Sequence, residues 1–478
     1  MSVLGHLEPK KVFGFFEEMS AIPHGSRNNT AISNYLVKFA ADRGLEHYQD
    51  AAENVVIIKP ATPGYEAAEA VIMQGHMDMV CEKAADCAKD MAAEGLDLAV
   101  DGDYVFARGT TLGGDDGIAV AMGLALMDSD DVAHPRLELV CTTDEELGMD
   151  GAMALDTSVL QGRRMLNIDS EAEGVFTVSC AGGADAEVSI PVKREAFAGT
   201  VITVTVDGLA GGHSGVEIHQ GRGNADMLLG RVLYAAAQQT ELRVICVEGG
   251  MKGNAIPAAA KAVIVAAEGE SVHQVCRRMN AAVRAEYAAT DAGVRTASAD
   301  GGDGLPMDAV STQRVIGLLT CAPNGVQVMS ADIEGLVQTS LNLGVLYTQA
   351  EQVYAKFCIR SSVDSQKEML TQRVACLAQL LGGTCTLGGD YPGWAYRPNS
   401  PLRDLMTEVF VEQYGCEPKV EAIHAGLECG LFAGKIADLD CVSFGPDLLE
   451  IHTPRERMSV SSVQRTWKFL VELLRRMK

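Results

Sequence analysis

Short apolar runs, each followed by an acid or an imidazole, constrain this chain more than any other feature. Val71-Ile-Met73 leads to His76 and Asp78, Leu137-Glu-Leu-Val140 to Glu145 and Glu146, and Arg164-Met-Leu-Asn-Ile168 directly to Asp169. Val55-Val-Ile-Ile58 is a further run of the same kind. Such runs, separated by longer segments, are the pattern of strands buried on both faces of an α/β sheet. In these sheets function gathers beyond the carboxyl ends of the strands, so the acids and His76 are expected to meet along one edge.

Between the runs lie helical signals. Ile32, Tyr35, Leu36, Phe39 and Ala40 share one face, with Asn28 and Asn29 able to cap its start and Gly44 as stop. The texture changes near Ala184, where Thr200–Val206 and Leu242–Val247 read as strands around one helix, 225–237, among glycine-rich loops. The first pattern resumes with Cys441-Val-Ser-Phe444, His452 and a last helix. That helix carries Val463, Trp467, Leu470 and Leu474 on one face, with Ser461 or Ser462 as cap. The glycines and prolines of Gly388–Gly393 predict the return hinge. The expected organisation is a discontinuous α/β domain, residues 1–184 and 390–478, interrupted by an α+β insert, 185–389.

Composition narrows the function. A chain of 478 residues, 47% hydrophobic, has material for two cores. A net charge of -25 repels phosphate, which argues against nucleic acid or an anionic membrane as partner. The first eleven residues carry Glu8, Lys10 and Lys11 in place of the apolar stretch of a secretory signal, and no run reaches the roughly 20 apolar residues of a membrane span. A soluble, cytoplasmic protein is expected. The 13 cysteines, odd in number and without close pairs, read as buried hydrophobes or free thiols, with Cys81 the one candidate soft ligand.

The acids carry the chemistry. His76 and Asp78, two apart at a strand end, project to the same side, so one could bind a metal while the other steadies it. Asp115 and Asp116, between glycines and the apolar stretch 118–127, suit either a helix N-terminus or a carboxylate shared by two ions. Asp144, Glu145 and Glu146 repel one another unless a cation intervenes, although a solvated acidic turn would also accommodate them. Asp169 and His452 are each weak signals alone. Together these nitrogen and oxygen donors suit zinc, with cobalt or manganese also compatible, and two ions sharing a carboxylate would form a hydrolytic centre.

The segments Gln74-Gly-His-Met-Asp-Met-Val80, Gly109–Ile118, Thr143–Met149 and Asn167–Gly174 resemble those of the M20 metallopeptidases, and more narrowly their aminoacyl-histidine dipeptidase branch. Ile22–Ser26, His424–Gly430 and Ile451–Ser459 extend the likeness over nearly the whole chain. The resemblance implies a zinc-peptidase α/β catalytic domain with an inserted lid and dimerisation domain. It implies two divalent ions, one held by His76 and Asp169, the other by Glu146 and His452, with Asp115 bridging across a cis peptide to Asp116. Asp116 stands where related dipeptidases are expected to have asparagine. Glu145 would be the general base and Asp78 the partner of His76. His213 would be a lid histidine acting in the partner subunit's site of a homodimer, and Asn254, Arg360 and Gly426 would bind substrate. The implied activity is hydrolysis of dipeptides, Xaa-His with broad specificity and carnosine among the candidates. The nearest alternative is an amino-acid deacylase on the same scaffold. A non-catalytic metal-bound interaction protein has no use for Glu145 beside Glu146, and a redox protein would need a Cys-x-x-Cys pair that the sequence lacks.

Overall fold

A computed structural model describes residues 2–478, which divide into two compact units. The first holds residues 2–179, Tyr396–Ala422 and Leu427–Lys478; the second holds Cys180–Ala395 and Ile423–Gly426. The chain therefore passes between units near residues 180, 396, 423 and 427, and the expected return at Gly388–Gly393 falls a few residues ahead of the division at 396. Gly388 pairs with Asp185 in strand Thr384–Tyr391, the last of five consecutive residues that find partners on Gly182–Pro191 before the register shifts to Tyr391 and Gly183.

The first unit is built on a mixed eight-stranded sheet. Strand Val71–His76 runs at its centre, parallel to Leu137–Thr142 on one side and Arg164–Asn167 on the other, and Asp440–Ser443 continues the parallel set. All six residues of Val71–His76 are buried, as a strand covered on both faces requires. Val55–Lys59 joins antiparallel to Leu137–Thr142. Helix Gly114–Met127 is buried almost throughout and lies against helix Lys10–Ser20, whose Phe16 ring packs where Gly117 has no side chain. Phe176, Phe410, Phe444 and Phe469 form an aromatic cluster with centroids 5.5–6.5 Å apart.

Two helix starts differ from expectation. Asn29 precedes helix Thr30–Asp42, but its side chain makes no cap; its amide donates instead to Asp144 at 2.8 Å, tying the helix to the acidic loop. The last helix, Val460–Arg476, is capped by Ser459, which accepts the Ser462 N–H, while Ser461 bonds Asp103. Its buried stripe runs through Val463, Phe469, Leu470, Leu473 and Leu474, with Trp467 only partly covered.

The second unit is an antiparallel nine-stranded sheet whose core face is covered by helices. Thr200–Asp207, Ala260–Ala266, Leu242–Met251, Val337–Thr348, Gln352–Ser361 and Gly182–Pro191 follow one another across it. Helix Ala225–Ala237 is joined by Gly269–Glu286, Ala309–Cys321 and Asp364–Leu380 in packing against it. No helix among the described residues is long and apolar enough to cross a membrane.

Candidate metal centre

His76 ends the central strand with its ring 1% exposed and both nitrogens committed. Nδ1 lies 2.9 Å from the Asp78 carbonyl oxygen and 3.5 Å from its carboxylate, so the backbone, more than the acid expected from the sequence, orients the ring. Nε2 faces Asp115 at 3.2 Å and Asp169 at 3.8 Å. The Asp78 carboxylate accepts from Ser26 Oγ at 2.8 Å and from the Glu145 N–H at 3.1 Å, fastening the acidic loop to the strand that carries His76. Gly75 must lack a side chain here: a Cβ would stand 2.5 Å from Asp116 Oδ2 and 2.6 Å from the Ala119 methyl.

Asp115 lies between two imidazoles. One oxygen faces His76 Nε2, and the other faces His452 Nε2, also at 3.2 Å. The peptide to Asp116 is cis, and regular helix begins only after the non-helical Asp115 and Asp116. The dipole argument for these two acids is accordingly weaker than the sequence suggested. Instead Glu456, buried and absent from the sequence reading, accepts from the N–H groups of Leu112, Gly113 and Gly114 at 2.7, 3.1 and 2.8 Å and so shapes the loop that presents Asp115.

His452 sits on the loop between Leu448–Leu449 and Arg457–Ser459, two strands of a four-stranded sheet completed by Tyr104–Ala107 and Leu98–Asp101. Its φ of 58° turns the ring inward, where Nε2 also meets Glu146 at 2.9 Å. Those two carboxylate bonds push its pKa up to about 10. Glu145 and Glu146 follow Leu137–Thr142 on a single 3₁₀ turn. Burial pushes Glu145 up to about 8, with His76 opposing and Glu428, Glu146 and Asp115 adding to the effect. Asp115 responds in the other direction, since hydrogen bonds with His452 and His76 outweigh its burial and hold it below the usual carboxylate range. Beneath the strand ends, Glu428 accepts from Gln74 at 2.5 Å and Thr142 at 2.7 Å. Glu428 too was missed.

Three groups of donors lie close enough for an ion: His76, Asp116 and Asp169; His76, Glu145 and Glu146; Asp115, Glu146 and His452. Among the described residues no lysine or arginine pairs with any of these acids, whose ion pairs are all with His76 or His452. Carboxylates packed this closely fit divalent cations by donor chemistry and charge. No thiol belongs to the groups, and Cys81 stands outside them.

The remaining predicted residues lie in the second unit. His213 pairs with Ala255, and its Nδ1 accepts from the N–H groups of Gly215 and Val216 at 3.1 and 3.2 Å, which leaves the ring proton on Nε2. Burial and the Arg360 charge hold it below the usual histidine range, so the ring is a neutral donor. The Asn254 carbonyl accepts from Ser214 at 2.8 Å, and Asn342 clasps the flanking carbonyls of Gly253 and Ala255 at 3.0 and 2.8 Å. Arg360 is 9% exposed, with Nε unpartnered. Gly426 closes the short segment Ile423–Gly426, which Ala181 ties down by donating to the carbonyls of Ile423 and Ala425.

The chain belongs to peptidase family M20/M25/M40, whose model matches residues 72–476. It is 38% identical over 480 residues to the cytosol non-specific dipeptidase of Escherichia coli (strain K12), with 99% of each chain covered. Its fold matches the crystal structure of aminoacylhistidine dipeptidase from Vibrio alginolyticus with a TM-score of 0.94 and 36% identity, covering 99% of this chain and 98% of that one. An aminopeptidase PepT from Bacillus cereus shares the fold at a TM-score of 0.56 and 15% identity, over 99% and 100% of the two chains.

Proposed function

We propose that this protein is a metal-dependent dipeptidase of the Xaa-His type with broad specificity, working in the cytosol as a homodimer. The observation that carries this reading is Asp115 set between His76 and His452 among acids that pair with no lysine or arginine of the described residues. His76 and Asp169 would hold one ion and Glu146 and His452 the other, with Asp115 shared and zinc the expected metal. Divalent cations held there would supply Lewis acidity and lower the pKa of water toward neutrality.

The chain's own residues do the rest. Glu145, buried beside the donors, takes a proton from the attacking water and delivers it to the leaving amine. Asp78 holds the Glu145 backbone and borders the His76 ring, which keeps base and ligand in fixed relation. His213, with its proton on Nε2, donates to the oxyanion in the partner subunit's site. Arg360, buried without an acid, receives the substrate's free carboxylate, for which a guanidinium fork is suited, while Asn254 and Gly426 bind the substrate beside it.

A panel of free dipeptides, including Xaa-His and carnosine, set against acetylated and succinylated amino acids tests the reading on metal-loaded enzyme. Turnover of the dipeptides is expected. Hydrolysis of the acylated amino acids with none of the dipeptides would replace it with a deacylase.

A further inference from the structure

One row of residues across the second unit's sheet contains a side chain that no role above uses. Along strand Gln352–Ser361, Phe357 and Ile359 enter the core, so Cys358 and Arg360 stand on the opposite face. Register places Ser340 opposite Arg360, Arg360 opposite Gly183, and Gly183 opposite Tyr391. Gly183 is what lets the row close. A Cβ there would lie 2.4, 2.5 and 2.6 Å from Cε1, Cζ and Oη of Tyr391, so the phenol ring occupies the space over the glycine. Its hydroxyl thereby reaches Arg360 Nη1 at 3.4 Å.

Nothing negative completes this group. Among the described residues Arg360 forms no ion pair, and its Nε has no partner. Asp185, on the same face two residues from Gly183, is engaged by Lys356 at 2.8 Å. At the other end of the row Ser340 Oγ bonds His424 Nε2 at 2.7 Å, and that imidazole is neutral. A guanidinium buried to this degree beside only neutral groups is costly unless an anion joins it. Tyr391, meanwhile, is pinned from behind: the buried Lys367 donates to its carbonyl oxygen and pairs with Asp390 at 2.8 Å. The hydroxyl is thus held at the guanidinium by backbone restraint and by the vacancy at Gly183, and not by the weak bond between the two side chains.

We propose that Tyr391 is a specificity-determining residue: its hydroxyl and the Arg360 fork together recognise the free carboxylate of a dipeptide, and Gly183 is the opening that admits the phenol. This rests on the reading of Arg360 given under Proposed function. With no anion bound the hydroxyl accepts from Nη1; with a carboxylate bound it turns its proton to one carboxylate oxygen while the guanidinium donates to the anion.

The test compares an Xaa-His dipeptide with its C-terminal amide on metal-loaded wild type, Tyr391→Phe and Gly183→Ala. Wild type is expected to favour the acid over the amide in kcat/KM. Tyr391→Phe should raise KM for the acid about tenfold with kcat nearly unchanged, and lower the acid-to-amide ratio about tenfold. Gly183→Ala, which displaces the ring but alters neither binding group, should lower that ratio in the same direction. The ratio is taken within one preparation, so loss of folded enzyme does not move it. An acid-to-amide ratio in Tyr391→Phe equal to that of wild type overturns the inference. Failure of wild type to cleave any free dipeptide overturns the dipeptidase reading itself, and that result is read without either variant.

Discussion

At the residue scale, Glu145 and Glu456 separate chemistry from support. Glu145 is buried among acids, and burial with its acidic neighbours raises its pKa in the metal-free site. Glu145→Gln keeps the volume and removes the base, so kcat should fall by at least 10²- to 10⁴-fold, the range typical of a lost general base. Metal content by atomic emission should stay at the wild-type value, and normal turnover would remove Glu145 from the mechanism. Glu456 touches no ion-binding atom; it holds three backbone N–H groups ahead of Asp115. Glu456→Gln puts an amide where only acceptors serve, so the loop should loosen and metal affinity should fall about 10- to 100-fold, as for other groups that orient ligands. A competition titration with a fluorescent chelator measures this, and unchanged affinity would reduce Glu456 to a loop filler. These two acids also mark the limit of what is legible in sequence. Glu145 announces itself beside Glu146 after an apolar run, whereas Glu456 acts on residues some 340 positions away and gives no local sign.

At the scale of elements, legibility follows how cleanly burial imprints a period. Val71–His76, Leu137–Thr142 and Arg164–Asn167 were readable because strands covered on both faces admit little but apolar residues, and the switch to acids marks where they leave the sheet. Helix Asp364–Leu380 was not, since its buried stripe includes Lys367 and Thr371 beside Leu370 and Val374 and so dilutes the apolar signal. Helix Gly269–Glu286 does carry a stripe at Val272, Val275, Cys276, Met279 and Val283, a 3.6-residue period that could have been found. The final helix shows how caps are misjudged. Ser459, Ser461 and Ser462 are equivalent in one dimension; in the fold Ser459 and Ser461 both donate to Asp103, and only Ser459 accepts the Ser462 N–H and so caps the helix. Ser459→Ala should cost about 1–2 kcal/mol in denaturant unfolding through the lost cap, with Ser461→Ala costing less. Equal losses would show that bonding to Asp103, and not the cap, is what matters.

At the scale of the whole molecule, the two units draw stability from different groups. Every candidate metal donor belongs to the first unit, so cations bind its folded form and should stabilise it by about 2.7 kcal/mol at a hundredfold excess over Kd. The second unit holds His424, which burial, aided by the Arg360 charge, keeps down to about 3, far below the usual histidine value. The sign of the pH effect follows. In the unfolded chain this imidazole takes a proton near pH 6.5, while in the folded unit it stays neutral, so unfolding binds a proton between those values. Its contribution is complete above pH 6.5 and is lost as pH falls toward 3, with a slope approaching 1.4 kcal/mol per pH unit, an order-of-magnitude figure. Calorimetry should therefore resolve two transitions: chelation lowers one of them by roughly 5 °C or more, and acidification from pH 7 to 5 lowers the other. Replacing the imidazole by a group that does not titrate, His424→Gln, should flatten the acid response of the second transition while leaving the chelator response of the first intact. If the variant kept the full acid slope, the burden of acid sensitivity would lie with other groups, and the neutral imidazole beside Ser340 would have no part in it.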